Sequence, residues 1–340
     1  MNSSLTKRGI SLAAIAALLT ISACSPSANN PNNAASQSPG QTNQTASGGS
    51  TAQFPRTVKH FMGSTEIPSA PQRIVALDSS YLDAVLLLGG NLVGYTNYRA
   101  LDDTFPDYLG DVSAQTADAQ DVGSLAEPSL EKILAQKPDL IVSAKVRQGD
   151  MYPELAKIAP TVFSETTGPT WKENIELVGE AMGKEKEAKQ FLQDYKDKAA
   201  RVGAAIMKKQ PDLTYSLVRF GSQDVRLYTS NSFIGEIMSD MGIPRPKDAP
   251  DDPNSILVPM SPETILDMDA KLIMVSIYGG DEAQNPEIKA RAEEYQNNPL
   301  WKRLTGDIVF VDDRTYVSSV SLQGANAVID QLAERFGVES

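Results

Sequence analysis

A single histidine, His60, and a single cysteine, Cys24, are all this chain offers of the two residue types most used for transition-metal ligation and nucleophilic catalysis. One cysteine leaves no partner for an internal disulfide, so the fold must stand on its core. The histidine falls in a predicted edge strand with no cysteine beside it, which excludes a His-based metal site, a Ser-His-Asp triad and a Cys-His pair. There is no P-loop and no Gly-x-Gly-x-x-Gly fingerprint. Paired acids exist, Asp102 with Asp103 and Asp251 with Asp252, but they stand in polar, turn-like stretches and read as solvated. The expectation is therefore that the chain is not an enzyme. Positive charge is also short: 31 Lys and Arg against 43 Asp and Glu give a net charge of −12. That balance argues against a nucleic-acid partner and against a polybasic membrane surface.

Long apolar runs are missing too. The run from Ile10 to Ile21 is too short to span a bilayer, follows Lys7 and Arg8, and ends in Ile21-Ser22-Ala23-Cys24. Residues 1–23 thus read as a secretory signal. Small residues before a lone cysteine resemble the lipobox of bacterial lipoproteins, in which Cys24 would carry the lipid; the alternative is an ordinary signal with a chance cysteine. Residues 24–53 are Asn, Ser, Gln, Ala, Pro, Thr and Gly with almost nothing to bury, a flexible tether. A single acyl chain binds a membrane only marginally, so stable anchoring needs more than one.

What is present begins with the longest helical pattern, from Trp171 to Gln210. Apolar residues recur at steps of three and four from Trp171 to Met182, and again from Ala188 to Ile206. Gly183 divides them and Pro211 closes the second, so the pattern predicts a short helix and then a long one from about Lys184 to Lys209. On either side lie similar segments, Pro128–Val142 and Met260–Met274. At one constant offset Ser129, Glu131, Ile133, Leu134, Leu140 and Ile141 match Ser261, Glu263, Ile265, Leu266, Leu272 and Ile273. Each copy reads as a Ser-capped short helix running into a buried strand. A unit repeated across a rigid helix predicts an N-terminal lobe (54–168), bridging helices (169–210), a C-terminal lobe (211–340) and a cleft between the lobes.

Within the first lobe strands alternate with helices, which implies a mainly parallel sheet flanked by helices, with ligands gathering beyond the carboxyl ends of the strands. Ser79–Tyr81, ahead of a helix from about Leu82, and Tyr95–Arg99, Val122–Ser124 and Ala144–Arg147 fall there. In the second lobe Thr214–Phe220 and Val225–Thr229 read as a hairpin. If Phe220 pairs with Val225, Arg219 faces Arg226 across the ladder, and like charges so placed destabilise it. Either an anion lies between them or each arginine has a carboxylate nearby. The ligand-binding candidates are therefore Arg219 and Arg226, followed by Tyr95, Arg99, Lys145, Tyr228 and Tyr278 at strand ends.

Several patterns in order, Pro71-Gln-Arg-Ile-Val-Ala-Leu77, Leu86-Leu-Leu-Gly-Gly-Asn-Leu-Val-Gly94, Val122-Gly-Ser124, Pro128-Ser-Leu-Glu-Lys-Ile133, Lys137-Pro-Asp-Leu-Ile-Val142, the long helix and Asn298-Pro-Leu-Trp-Lys-Arg-Leu304, together resemble the ferric-siderophore and cobalamin class of ABC-transporter substrate-binding proteins. The resemblance implies an α/β fold of two similar lobes joined by one long rigid helix, a shallow cleft and small hinge motion. It also implies capture of a ferric siderophore, of hydroxamate or citrate-based carboxylate type, and delivery to an ABC importer. No cofactor is expected, since the siderophore itself holds the ferric ion. Cobalamin or haem is the alternative within the class, haem being weakened by the lack of a spare axial ligand; a surface adhesion lipoprotein is the alternative outside it. In this class one glutamate per lobe docks on the permease dimer, a role that falls on Glu131 and Glu263, although a charge in a first helical turn also complements the helix dipole. A monomer, lipid-anchored on the outer side of the cell membrane and favouring a Gram-positive surface, completes the expectation.

Overall fold

Buried strands send alternate side chains to opposite faces, and here that alternation sorts the apolar residues into three layers. The computed structural model describes residues 53–97, 105–221, 223–279 and 285–340. The signal segment, Cys24, the rest of the tether up to 52 and Arg99 lie outside the described residues.

The elements run β1 (Arg56–His60), β2 (Gly63–Ile67), β3 (Ile74–Ala76), α1 (Ser79–Leu87), β4 (Leu92–Asn97), α2 (Ser113–Thr116), β5 (Gln120–Ser124), α3 (Leu130–Ala135), β6 (Leu140–Ala144), α4 (Lys145–Gln148), α5 (Tyr152–Ile158) and β7 (Thr161–Ser164). Then come α6 (Trp171–Met182) and α7 (Glu185–Lys209), followed by β8 (Tyr215–Phe220), β9 (Val225–Tyr228), α8 (Phe233–Asp240), β10 (Leu257–Met260), β11 (Leu272–Ile277), α9 (Pro286–Asn297), β12 (Asp307–Val311) and α10 (Leu322–Phe336). One five-stranded sheet has the order β5-β4-β3-β6-β7 and is parallel throughout. The other has the order β10-β9-β8-β11-β12, with β9 alone running against its neighbours. β1 and β2 form a separate antiparallel hairpin.

In the first sheet Ile74, Ala76, Leu140 and Val142 face a central layer, while Val75, Leu77, Val93 and Ile141 face an outer one with Ile133, Leu155 and Phe163. In the second, Tyr215, Leu217, Leu272 and Met274 face the same central layer, and Val218, Phe220, Ile273 and Val275 meet Ile288 and Tyr295 outside. The central layer is one continuous cluster that takes in Val85 of α1, Trp171 and Ile175 of α6, Ala199 and Val202 of α7, Ile237 of α8 and Val328 and Ile329 of α10. Two lobes joined by a long helix are present. Their union is broader than the predicted single bridge, because five helices share one apolar core between the sheets.

The bridge itself follows the sequence reading. α6 stops where Gly183 takes the left-handed conformation at φ 71°, which glycine adopts without strain. The 25 residues of α7 span about 38 Å. The Trp171 ring meets Tyr195 edge-on at 5.1 Å and Phe233 at 5.7 Å. Lys172 reaches Glu236 at 2.9 Å and Asp240 at 2.6 Å, and the Tyr195 hydroxyl donates to Asp240 at 2.8 Å. The repeated segments also hold equivalent places, since β6 and β11 each stand next to the middle strand of their sheet. They differ in winding. Ser129 caps a true α-helix, whereas Pro262–Met268 is a 3-10 turn broken at Thr264, with Ser261 and Thr264 bonding each other reciprocally. One expectation is corrected: Ser79, Ser80 and Tyr81 are not a loop before the helix but its first turn, because the Asp78 side chain accepts from the Ser80 N–H and starts α1 there.

Gly203 sits in the middle of α7 against the backbone of Met241, and a Cβ there would lie 1.8 Å from the Met241 carbonyl oxygen. Alanine is worth about 1 kcal/mol over glycine within a helix, but a main-chain atom cannot step aside as a side chain can. Gly203→Ala is expected to lower stability by about 1–3 kcal/mol, the usual range for overpacking, measured by urea unfolding; equal or higher stability would show that α7 slides freely over α8.

Candidate functional site

The carboxyl ends of β3 and β6 in one sheet, and of β8, β11 and β12 in the other, carry two ion pairs, each built on a buried carboxylate. On the N-terminal side, Asp78 is only 3% exposed; it accepts from the Ser80 N–H and hydroxyl through one oxygen and from Arg147 Nε at 2.8 Å through the other. Arg147 Nη2 donates to the Thr167 hydroxyl at 3.2 Å. The Arg147 side chain remains about one quarter exposed, at 26%. On the C-terminal side, Arg219 grips Asp313 with two parallel bonds of 2.6 Å, Nε to Oδ1 and Nη2 to Oδ2. Hydroxyls of Ser276 and Ser318 donate to the same carboxylate at 2.7 and 2.9 Å. The Tyr278 ring centre lies 4.7 Å from the Arg219 guanidinium carbon, a cation–π contact.

A short polar path connects the two pairs. The Ser79 hydroxyl, one residue beyond Asp78, donates to the Ser318 carbonyl at 3.2 Å, and Ser318 Oγ accepts from Arg219. Arginines from both lobes are thereby fixed around one seam. A guanidinium held this way presents charge-assisted donors with little left to order, which suits a planar anionic oxygen group.

Of the predicted ligand residues, the structure gathers Arg219, Arg226 and Tyr278. The expected register holds, with Arg219 opposite Arg226 and Phe220 opposite Val225. The like charges are relieved by protein carboxylates: Arg219 by Asp313 and Arg226 by Asp224 at 2.8 Å. Arg219 is buried at 3% exposure, whereas Arg226 stays open at 35%. Tyr228 is a correction. β9 is antiparallel, so its chain leaves the rim at Val225 and carries Tyr228 about 10 Å inward, where the ring joins the central core. Tyr95 is half-buried and tilts against Phe105 at 5.2 Å. Lys145 is exposed, with its ammonium 6.0 Å from the Phe61 ring. Arg99 lies outside the described residues.

Arg147, Asp78 and Asp313 were not among the candidates. Arg147 belongs to the strand-end stretch Ala144–Arg147, and its place two residues after Lys145 is the available signal. Nothing local marks Asp313, which is 94 residues from its partner. Glu131 and Glu263 are both exposed in the first turns of the repeated segments. The Ser261 hydroxyl and the residue's own N–H hold the Glu263 carboxyl below its usual value. His60 is occupied structurally: its ring bonds Thr65 at 2.9 Å and accepts from the N–H groups of Met62 and Phe163, and burial pushes its pKa down. Among the described residues no His, Cys, Asp or Glu cluster could hold a metal ion.

The chain is similar to known proteins over most of its length. A model of the periplasmic binding protein family matches residues 74–306, from β3 to the residue before β12. The "Probable siderophore-binding lipoprotein YfiY" of Bacillus subtilis is 34% identical over 291 residues, covering 83% of this chain and 87% of that one. The Fe(3+)-citrate-binding protein YfmC of the same organism is 30% identical, covering 85% and 82%. The crystal structure of Staphylococcus aureus SirA complexed with staphyloferrin B superposes with a TM-score of 0.74 at 32% identity, covering 84% of this chain and 99% of SirA.

Removing Asp313 would take the bidentate carboxylate away from a buried guanidinium, a loss of about 3–5 kcal/mol. Asp313→Ala is expected to show a deficit of that size in chemical denaturation, whereas Asp224→Ala, which breaks the partly exposed pair with Arg226, should cost no more than about 1 kcal/mol. Similar losses for the two variants would mean the Arg219 pair is not the buried one.

Proposed function

Because the chain belongs to the periplasmic binding protein family, we propose that it captures a ferric siderophore, of hydroxamate or citrate-based carboxylate type, at the seam between its lobes and hands it to an ABC importer. The observation that carries this reading is the convergence of Arg147 from one lobe with Arg219 and Arg226 from the other, on a protein whose net charge is −12. An acidic protein that gathers arginines at one seam has reason to meet an anion there. Relatives named for siderophore and ferric citrate binding, at 30–34% identity over most of both chains, support the iron chelate as that anion. The ferric ion travels as cargo inside the chelate, so the protein itself need supply no metal ligand or cofactor. Haem is disfavoured because both nitrogens of His60 are engaged within the fold.

Cys24, in this reading, bears the lipid that anchors the chain on the outer side of the cell membrane, with residues 24–53 as tether; a Gram-positive surface suits so long an uncharged spacer. Among the described residues no helix is long and apolar enough to cross a membrane. Glu131 and Glu263 dock the monomer on the two subunits of the permease, one from each copy of the repeat. Their exposure supports this, since a docking carboxylate must remain free of the core.

Titration of the protein with ferric citrate, a panel of ferric siderophores, haem and cobalamin tests the reading, and saturable binding of a ferric siderophore is the expected result. Arg226→Ala should weaken it by about 2 kcal/mol, the worth of a hydrogen bond to a charged group, and Arg147→Lys, which keeps a cation beside the buried Asp78 but loses the planar fork, should weaken it too. Glu131→Ala and Glu263→Ala should leave affinity intact and reduce uptake by cells. No binding of any iron chelate would remove the transport reading and favour a surface adhesion role.

A further inference from the structure

Asp83 is a carboxylic acid that the rim does not use, and it lies deep in the junction between the lobes. It sits on α1 at 1% exposure. The Tyr108 hydroxyl donates to its Oδ2 at 3.0 Å, the Ser321 hydroxyl bonds the same carboxyl, and Gln323 Nε2 donates to its main-chain oxygen at 2.7 Å. Ser321 and Gln323 belong to the start of α10 in the other lobe, and Tyr108 to the turn at Asp107–Leu109. The charged groups around it are few. Asp78 caps the same helix and is already paired with Arg147, Asp312 stands near the Tyr108 hydroxyl, and Arg314 lines the adjacent groove. Among the described residues no cation pairs with Asp83. The groove, about 1000 Å³, is lined by Phe105, Tyr108, Phe191, Arg314, Gln323 and Asp330 and brings solvent up to the Tyr108 ring.

An ionised carboxylate buried with hydroxyl partners and no cation is costly, whereas a neutral acid fits the same place. We propose that Asp83 is the proton-binding group of the lobe junction: the neutral acid lets α1 and α10 close over it, and its ionisation puts uncompensated charge into the seam and loosens it. Burial, the largest influence, raises its pKa from 3.8 to about 7, against the lowering by Ser321 and Tyr108. The folded chain then keeps a proton that the unfolded chain has released above pH 3.8, so stability falls as pH climbs from there through about 7. The position matters to the rim. Asp83 lies on α1, the helix capped by Asp78, which holds Arg147, and touches Ser321 three residues beyond Ser318, which bonds Arg219.

The test compares thermal midpoints of the full chain and of Asp83→Asn, an uncharged isostere, from about pH 5.5 to about pH 8.5, a span that brackets neutral titration. The wild type is expected to lose several degrees relative to the variant as pH rises to about 7 and to run level with it above, and Tyr108→Phe, which removes a donor to the ionised form, to move that levelling-off upward. Parallel curves for wild type and Asp83→Asn overturn the proposal. If Asp83→Asn fails to fold, infrared spectroscopy of the wild type decides: a protonated carboxyl band that fades near neutral pH, and fades later in Tyr108→Phe, supports it, and the absence of such a band refutes it. Neither readout involves a ligand, so their failure would leave the siderophore reading untouched.

Discussion

The whole arrangement depends on one apolar layer trapped between the inner faces of two sheets. A parallel sheet is covered on both sides, and here the inner faces of both are covered by the same helices. Ile74, Ala76, Leu140 and Val142 of one sheet and Tyr215, Leu217, Leu272 and Met274 of the other drain into a single cluster with α1, α6, α7, α8 and α10. Separating the lobes by much would open that cluster to water, at roughly 25 cal/mol for each Å² of apolar surface exposed. The outer layers are private to each lobe and impose no such restraint. A binding protein built this way is limited to small relative motions of its lobes, and its seam must be largely formed before ligand arrives.

Charge burial follows from that rigidity. Side chains at the base of the seam cannot swing out to water, so each arginine that enters it needs a carboxylate from the fold. Asp78 and Asp313, both 3% exposed, supply them. Burial of the two carboxylates ties each to its arginine, since either carboxylate left alone would be an unpaired charge in a low-dielectric setting. The two pairs then share the Ser79–Ser318 link, and the seam gains a fixed polar floor in place of a mobile one.

The sequence carried the architecture because architecture is written in local signals. Gly183 and Pro211 bracket α7, the matched segments around Ser129 and Ser261 mark equivalent strands, and the continuous apolar runs at Leu140 and Leu272 mark strands buried on both faces. Even the register of β8 on β9 was legible, because a short loop fixes it. What was not legible was who would neutralise whom. The opposed Arg219 and Arg226 suggested a missing anion, yet Asp313 arrives from 94 residues away and Asp224 from within the connecting loop. Tyr228 was misplaced for a related reason: a strand's end lies at the rim only when its direction matches that of its neighbours, and β9 runs the other way.

These placements decide where ligand recognition can reside. Nε and Nη2 of Arg219 both bond Asp313, so at those nitrogens an anion would compete with a bidentate carboxylate already at 2.6 Å. Arg226 is held by one bond to a half-buried aspartate at the tip of the hairpin, a pair that water still reaches and that is cheaply exchanged. Arg147 lies between these cases: Nε and Nη2 are anchored to Asp78 and Thr167, which fixes the plane of the guanidinium, while no described residue hydrogen-bonds Nη1. A donor oriented in advance adds affinity chiefly by sparing the entropy of ordering it. If the seam binds an anion as proposed, Arg147 and Arg226, one from each lobe, are the arginines placed to meet it, while Arg219 braces the C-terminal side of the seam through Asp313.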